Sequence, residues 1–337
     1  MKTLVTGATG TLGPALLTAL GGLDLTVLAR HRQTHIQQRQ IRGELTADAI
    51  PDRDWELIVH AAANTRFRSQ PAELEKANVE GTAELIRFAS ECPRLSRFIY
   101  VSSTCAFGYT EGTLPEKSIP RPPSFANYYE ETKWRAEQLV ATSDLPFQIL
   151  RIPIVLGSRL TGEIARPAAI HHALRWLAQG LVPLLPTRPG CRLELISTEA
   201  VTEGVRRTLE LTTPSSHPFL HICRGESALE LTDLLNYLGQ WLKSRDRRWA
   251  EEIFTLPNLV TPDGFAEFRR LIDNTANPLF HAIYHTTDVL ESTLTTLRTF
   301  GVSAAAVDQE DWVELANAVF HHQLTPLLNS LYANSVH

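Results

Sequence analysis

Apolar residues fall in short continuous runs along the first 150 positions, at Lys2–Thr6, Leu25–Ala29, Leu57–Ala63, Phe98–Val101 and Phe147–Arg151. Such runs, without polar alternation, are the pattern of strands buried on both faces of a parallel sheet. Between them lie segments with helical character, Pro14 to Leu20, Ala72 to Ser90 and Tyr129 to Ser143. Strands alternating with helices predict a doubly wound parallel sheet with right-handed crossovers. Beyond Arg151 the pattern changes. Helical stretches at Pro167 to Gly180, Leu229 to Ser244, Asp311 to Phe320 and Gln323 to Tyr332 predict a smaller, mainly helical part, with some strand returning to the main sheet.

The first apolar run passes directly into Gly7-Ala8-Thr9-Gly10-Thr11-Leu12-Gly13. Glycine lets a backbone turn tightly and approach a pyrophosphate, and a following helix aims unpaired N–H groups at the phosphates. The phosphates are expected over Thr9 to Leu12, with the helix beginning near Thr11. Ser102-Ser103-Thr104 follows a later strand, and Tyr129-Glu130-Glu131-Thr132-Lys133 lies in a helical segment. Tyr129 and Lys133 are four apart and share a helix face. A neighbouring ammonium favours the phenolate and lowers a tyrosine pKa from its ordinary value near 10. A serine hydroxyl at the strand end would hold a substrate oxygen during proton transfer. Lysine occurs only at positions 2, 76, 117, 133 and 243, so Lys133 is not routine surface decoration.

With Gly-x-x-Gly-x-x-Gly at Gly7/Gly10/Gly13, then Ser103, then Tyr129-x-x-x-Lys133, the chain resembles the extended short-chain dehydrogenase/reductases. The resemblance implies an α/β Rossmann-type NADP-binding domain over 1–158, contributing the catalytic Ser, Tyr and Lys, and a substrate-binding cap over 159–337, interleaved with the main sheet. It selects Ser103 over Ser102, because the family's catalytic hydroxyl stands five residues before a glycine, here Gly108. It gives Asn78 the role of stabilising the active-site region. It makes Ala61, Ala62 and Ala63 a close backbone wall for the cofactor riboses, Pro153 and Val155 part of the nicotinamide pocket, and Glu44 with Leu45 the adenine contact. Tyr128 reads equally as a pocket wall or as core packing.

Cofactor choice is written after the second strand, where an acidic residue would accept from the ribose 2′-hydroxyl of NAD. Here the chain runs Arg30-His31-Arg32. A guanidinium matches a 2′-phosphate bidentately, so Arg30 and Arg32 predict NADP(H).

Of the 337 residues 43% are hydrophobic and 20% charged, enough apolar material for a sizeable core. The net charge of −5, without like-charge blocks, gives no nucleic-acid footprint. No run of about 18 uncharged apolar residues is present to span a bilayer, and a strand that starts at Lys2 leaves no room for a signal peptide, so the cytoplasm is expected. Cys92, Cys105, Cys191 and Cys223 have no metal-type spacing and read as free thiols of a reducing compartment. Cys105 is placed as a small pocket-lining residue. His171-His172 and His321-His322 point to different helix faces and assign no metal. Trp241, Trp249 and Trp312 read as core or cap packing.

Within the superfamily, Ala61 to Phe67, Asn78 to Thr82, Arg151 to Val155 and Ser158 to Glu163 are similar to fatty acyl-CoA reductases and thioester-reductase domains. That implies NADPH-dependent reduction of an acyl thioester or aldehyde, presented by CoA or a carrier protein, in a pocket bounded by Arg66, Phe67, Cys105, Phe107 and Tyr128. Nucleotide-sugar epimerases and dehydratases use the same Ser/Tyr/Lys set, and Arg192 falls where they keep a phosphate-binding arginine. It would equally meet the phosphates of a CoA or carrier arm. A non-catalytic NADP-binding regulatory protein is the third alternative.

Overall fold

A computed structural model describes residues 1–31, 36–46, 49–67, 69–273, 277–300, 305 and 311–333. Strands β1 (Lys2–Thr6), β2 (Asp24–Ala29), β3 (Arg39–Arg42), β4 (Leu57–His60) and β5 (Arg97–Ser103) join Phe147–Ile152 and Phe219–His221 in one seven-stranded sheet. Its order is Phe219–His221, Phe147–Ile152, β5, β4, β1, β2, β3, and every neighbouring pair is parallel. The chain winds outward from β1 in one direction and then, from β4, in the other. The crevice between the carboxyl ends of β1 and β4 is therefore the switch point where open α/β sheets bind ligands.

Side-chain parity explains why these strands are apolar throughout. Along β5, Phe98 and Tyr100 enter a core shared with Leu4, Ile58, Phe88 and Ala136, while Ile99 and Val101 enter a second core with Val5, Val27 and Leu150. Each strand is thus covered on both faces. Helix α1 (Gly13–Ala19) covers one face, and α3 (Gly81–Ser90) and α4 (Tyr128–Ala141) cover the other.

Two helical expectations change. The segment expected as a helix from Ala72 to Ser90 is α2 (Pro71–Leu74), a π-helical stretch Glu75–Glu80 and α3, with Asn78 inside the π turn. Such π-helical turns inside α-helices are rare and frequent at functional sites. The two C-terminal stretches are one helix, Trp312–Ala333, continuing through Pro326. Helices Ala169–Ala178, Leu231–Lys243 and Trp312–Ala333 share a third core in which Trp241 and Trp249 are buried. Strand Phe219–His221 returns from this part to the edge of the main sheet, and Leu195–Ser197 pairs with Ile154–Gly157. No described helix is long and apolar enough to cross a membrane.

Candidate active site

The glycine turn sits at the switch point. Gly7 has φ +78°, and a Cβ there would lie 2.3 Å from the Ala61 carbonyl carbon, so only glycine lets the end of β1 meet the end of β4. A Cβ on Gly13 would lie 1.9 Å from the Ala8 oxygen, which forces glycine where α1 packs on the turn. The first helical residue is Gly13, two later than expected, because Thr9 to Leu12 are taken up by the turn. A Cβ on Gly10 would meet, among the described residues, the Gly7 oxygen at 3.2 Å and no other atom beyond its chain neighbours within 4 Å, so its outer side is open for a backbone approach by pyrophosphate. No side chain caps α1. These residues fit a dinucleotide. Ala61 and Ala62 are half-buried beside Gly7 and Ala63 is exposed.

Arg30 is exposed immediately after β2, and Glu44 is exposed after β3 with Leu45 half-buried beside it. Arg32 lies outside the described residues. A guanidinium on the next strand is not evident from sequence alone: β2 and β3 pair with Ala29 opposite Arg42, which puts an exposed Arg42 one register position from Arg30 on the edge strand. Recognising the short strand at 39–42 would have found it. On the far side, Pro153 is half-buried, and Val155 buries its side chain in the core while its strand pairs with Leu195–Ser197.

Ser103 ends β5, and Tyr129 and Lys133 come from the first turns of α4. The helix start is fixed by Asn127, whose Oδ1 accepts from Glu130 N at 3.0 Å, and by Glu130, whose carboxylate accepts from Ala126 N at 3.0 Å. Reciprocal capping of this kind is legible in the Asn-x-x-Glu spacing. Ser103 Oγ accepts from Cys105 N at 3.2 Å and hydrogen-bonds the Tyr129 phenol. The Phe67 ring meets Tyr129 edge-on, with centroids 5.1 Å apart. Phe67 is thus placed against the reacting phenol, while the Arg66 side chain is exposed.

The expected electrostatics are reversed in this structure. Lys133 Nζ donates to the Tyr100 hydroxyl at 2.7 Å and to the Val101 carbonyl at 3.0 Å rather than to Tyr129. Burial raises the Tyr129 phenol well above its ordinary value and outweighs the lowering by Ser103. Burial also lowers Lys133 to about 8, against the opposing pull of Glu137. Removing both groups from water therefore outweighs the four-residue spacing, and the phenol is held protonated. The Cys105 thiol is pushed up to about 11, chiefly by burial, so it is a neutral neighbour and not a nucleophile.

Asn78 is buried in the π turn. Its Nδ2 donates to the Asn64 carbonyl at 3.1 Å and to Thr132 Oγ1 at 3.0 Å, and its Oδ1 accepts from Asn64 N at 2.7 Å. It clamps the loop after β4 to the helix turn that carries Lys133.

Three residues expected in the pocket make contacts within the fold. Tyr128 donates to Glu75 Oε2 at 2.8 Å, and Arg135 closes the triad from Nη1 at 2.6 Å and Nη2 at 2.7 Å, so this tyrosine anchors α4 to the helix before it. Phe107 is buried with Leu114, Ile119, Cys223 and Phe300, packed edge-on to His221 and Phe300, and is core rather than wall. Arg192 donates to the Glu226 carbonyl at 2.7 Å, which ties it to its own part of the fold. Arg298, unnoticed in the sequence, reaches from strand Arg298–Phe300 to the Gly108 carbonyl at 2.9 Å, close enough to Cys105 to act on its thiol. Nothing local marks it, since it arrives by long-range pairing with Gly112–Leu114. A groove of about 1020 Å³ runs from Thr11 along α1, bounded by Ser158, Glu163, Thr198 and Arg206.

The fold is that of the extended short-chain dehydrogenase/reductases. Residues 52–205 match the family model described as male sterility protein, an NAD-binding domain. Among curated proteins the chain is 32% identical over 164 residues to methionine adenosyltransferase 2 subunit beta of Rattus norvegicus, covering 46% of this chain and 47% of that one. It is 31% identical over 157 residues to a farnesyl-dihydroquinoline-oxide ketoreductase of Stigmatella aurantiaca, covering 43% and 47%. The chain thus spans about half the length of these relatives. Among solved structures, the terminal R domain of the myxalamid PKS-NRPS pathway superposes with TM-score 0.72 at 18% identity, covering 96% of this chain and 90% of that one. MoeE5 in complex with UDP-glucose and NAD gives 0.67 at 18%, covering 97% and 100%.

Proposed function

We propose that this protein is an NADPH-dependent reductase that acts on the carbonyl of an acyl thioester or aldehyde, with Tyr129 as proton donor. The observation that carries the reading is the Tyr129 hydroxyl, paired with Ser103 and with its ring faced by Phe67, beside a glycine turn open to a dinucleotide. A nicotinamide bound in the crevice supplies the hydride. Ser103 and Tyr129 both present hydroxyls to one substrate oxygen, and as negative charge grows there the phenol gives up its proton. Arg30 and Arg42 suit the 2′-phosphate that distinguishes NADP from NAD. The match to the male sterility model, the likeness to a reductase domain and the ketoreductase relative all support a reductive chemistry. Four free cysteines suit a reducing cytoplasm.

Nucleotide-sugar conversion is the second reading, favoured by the full-length likeness to MoeE5. Against it, an exposed Arg30 stands after β2 where an acidic residue would hold the ribose 2′-hydroxyl of a retained NAD. The deciding experiment follows NADPH absorbance with aliphatic and aromatic aldehydes, acyl-CoA thioesters and UDP- or dTDP-sugars. The reductase reading expects NADPH consumption with aldehydes and thioesters. Conversion of a nucleotide sugar without net cofactor use refutes it, and cofactor binding without any turnover transfers the protein to a regulatory role.

A further inference from the structure

A buried line of hydrogen bonds connects the dinucleotide turn to Lys133. Ala62 N donates to Thr6 Oγ1 at 3.3 Å, Thr6 Oγ1 and His60 Nδ1 are 2.8 Å apart, and His60 Nε2 lies 3.0 Å from Thr82 Oγ1. Thr82 Oγ1 donates to the Asn78 carbonyl at 2.6 Å and also hydrogen-bonds the Tyr100 hydroxyl, which accepts from Lys133 Nζ at 2.7 Å. Thr6, His60, Thr82, Tyr100 and Lys133 are all buried.

The proton count allows one arrangement. A carbonyl only accepts, so the single Thr82 hydrogen goes to Asn78. His60 then carries its proton on Nε2 and donates to Thr82, while its Nδ1 accepts from Thr6, whose oxygen accepts from Ala62. Tyr100, accepting from the ammonium, gives its own hydrogen to Thr82. Each hydroxyl and ring nitrogen is used once as a donor or filled as an acceptor, and a fully satisfied buried network is rigid. His60 stays neutral, since burial and the Lys133 charge lower it to about 3.

We propose that Tyr100, Thr82 and His60 are positioning residues for Lys133: their hydrogen-bonded line aims the ammonium away from solvent and ties its direction to the amide that closes the dinucleotide turn. This rests on Lys133 belonging to the reacting site. The titratable groups around the ammonium are Tyr129 and Glu137 on its own helix, Tyr100 from β5, Cys105 from the turn after β5 and His60 from β4. The Glu137 charge is committed to Arg151 on the strand Phe147–Ile152.

With five lysines in the chain, selective ¹³Cε-lysine labelling makes each one observable by NMR, without cofactor or substrate. A hydrogen bond from the ammonium to Tyr100 favours the charged form, so removing the acceptor lowers the lysine pKa. In Tyr100→Phe and Thr82→Val the Lys133 midpoint is expected to fall by about half a unit or more, roughly threefold in proton affinity. His60→Gln, which keeps an N–H for Thr82, is expected to leave the midpoint in place. Should Tyr100→Phe fail to fold, Thr82→Val decides, because it removes one hydroxyl and keeps the side chain's shape. A lowered melting temperature with an unmoved Lys133 midpoint in Thr82→Val overturns the proposal. Turnover plays no part in this measurement, so the lysine titrates measurably even in a protein that reduces no carbonyl, and failure of the reductase reading stays distinct from failure of this one.

Discussion

Removing the Arg151 guanidinium is expected to cost more stability than any surface change in this chain. Arg151 and Glu137 are both fully buried, with Nη2 2.8 Å from Oε2 and Nε 3.2 Å from each carboxylate oxygen. The same guanidinium donates to the Lys117 carbonyl at 2.9 Å, lies 3.2 Å from His221 Nε2, and stacks near Phe107 and Phe219 at 4.8 and 5.0 Å. Arg151→Met keeps much of the stem but strands the buried Glu137 carboxylate without the guanidinium that hydrogen-bonds both its oxygens, leaving only the Lys133 ammonium one turn away as a counter-charge. Breaking a buried pair in this way costs about 3–5 kcal/mol, a large share of the roughly 5–15 kcal/mol that holds a typical domain together. Glu137→Leu strands the opposite charge and should cost a similar amount. The double variant leaves no lone charge, so it should be more stable than either single one, with a coupling energy of about 2 kcal/mol or more. Urea unfolding of the four proteins, followed by tryptophan fluorescence, measures the cycle. Single variants that each cost less than about 1 kcal/mol, or a double variant whose cost is their sum, refute this account of the core.

Arg30→Ala should weaken NADPH binding about 10- to 100-fold, the worth of one charge-assisted contact, with NADH affinity nearly unchanged; equal losses in titrations with both cofactors contradict the assignment. Arg42→Ala should shift the same preference in the same direction, and an unaltered NADPH/NADH ratio removes it from the site. Lys133, lowered to about 8, loses its ammonium as pH rises through that value, so kcat/KM should fall on the alkaline side near pH 8 in a profile taken with saturating cofactor. The linkage sign for stability is opposite. Between about pH 8 and 10.5 the unfolded chain holds a proton that the native lysine has lost, so this group's contribution to stability rises with pH and is constant below pH 8.

The sheet was legible because strands buried on both faces leave unbroken apolar runs, and the glycine turn because only glycine satisfies both φ +78° at Gly7 and the close pass to Ala61. The Ser103 and Tyr129 neighbourhood followed from spacing on one strand end and one helix. The direction of Lys133 did not. Spacing of four residues gives a shared face, yet Tyr100 and the Val101 carbonyl compete for the ammonium, and they reach it only through sheet parity, which puts Tyr100 on the α4 side. Tyr128 shows the same limit: its hydroxyl partner, Glu75, is 53 residues away. Arg42 and Arg298 stayed hidden because each is brought to its place by strand pairing, the first through β2 and β3, the second across 186 residues to Gly112.

The most direct test of the reductase reading is Tyr129→Phe, assayed for NADPH oxidation with an aldehyde that the wild type accepts and, separately, for NADPH affinity. The substitution removes the one hydroxyl hydrogen placed for transfer beside Ser103 and keeps the ring that packs against Phe67. Turnover should fall by about 10²-fold or more, the usual worth of a positioned proton donor, while NADPH affinity stays within about twofold. Full activity in Tyr129→Phe, with Tyr128→Phe inactive, contradicts the account.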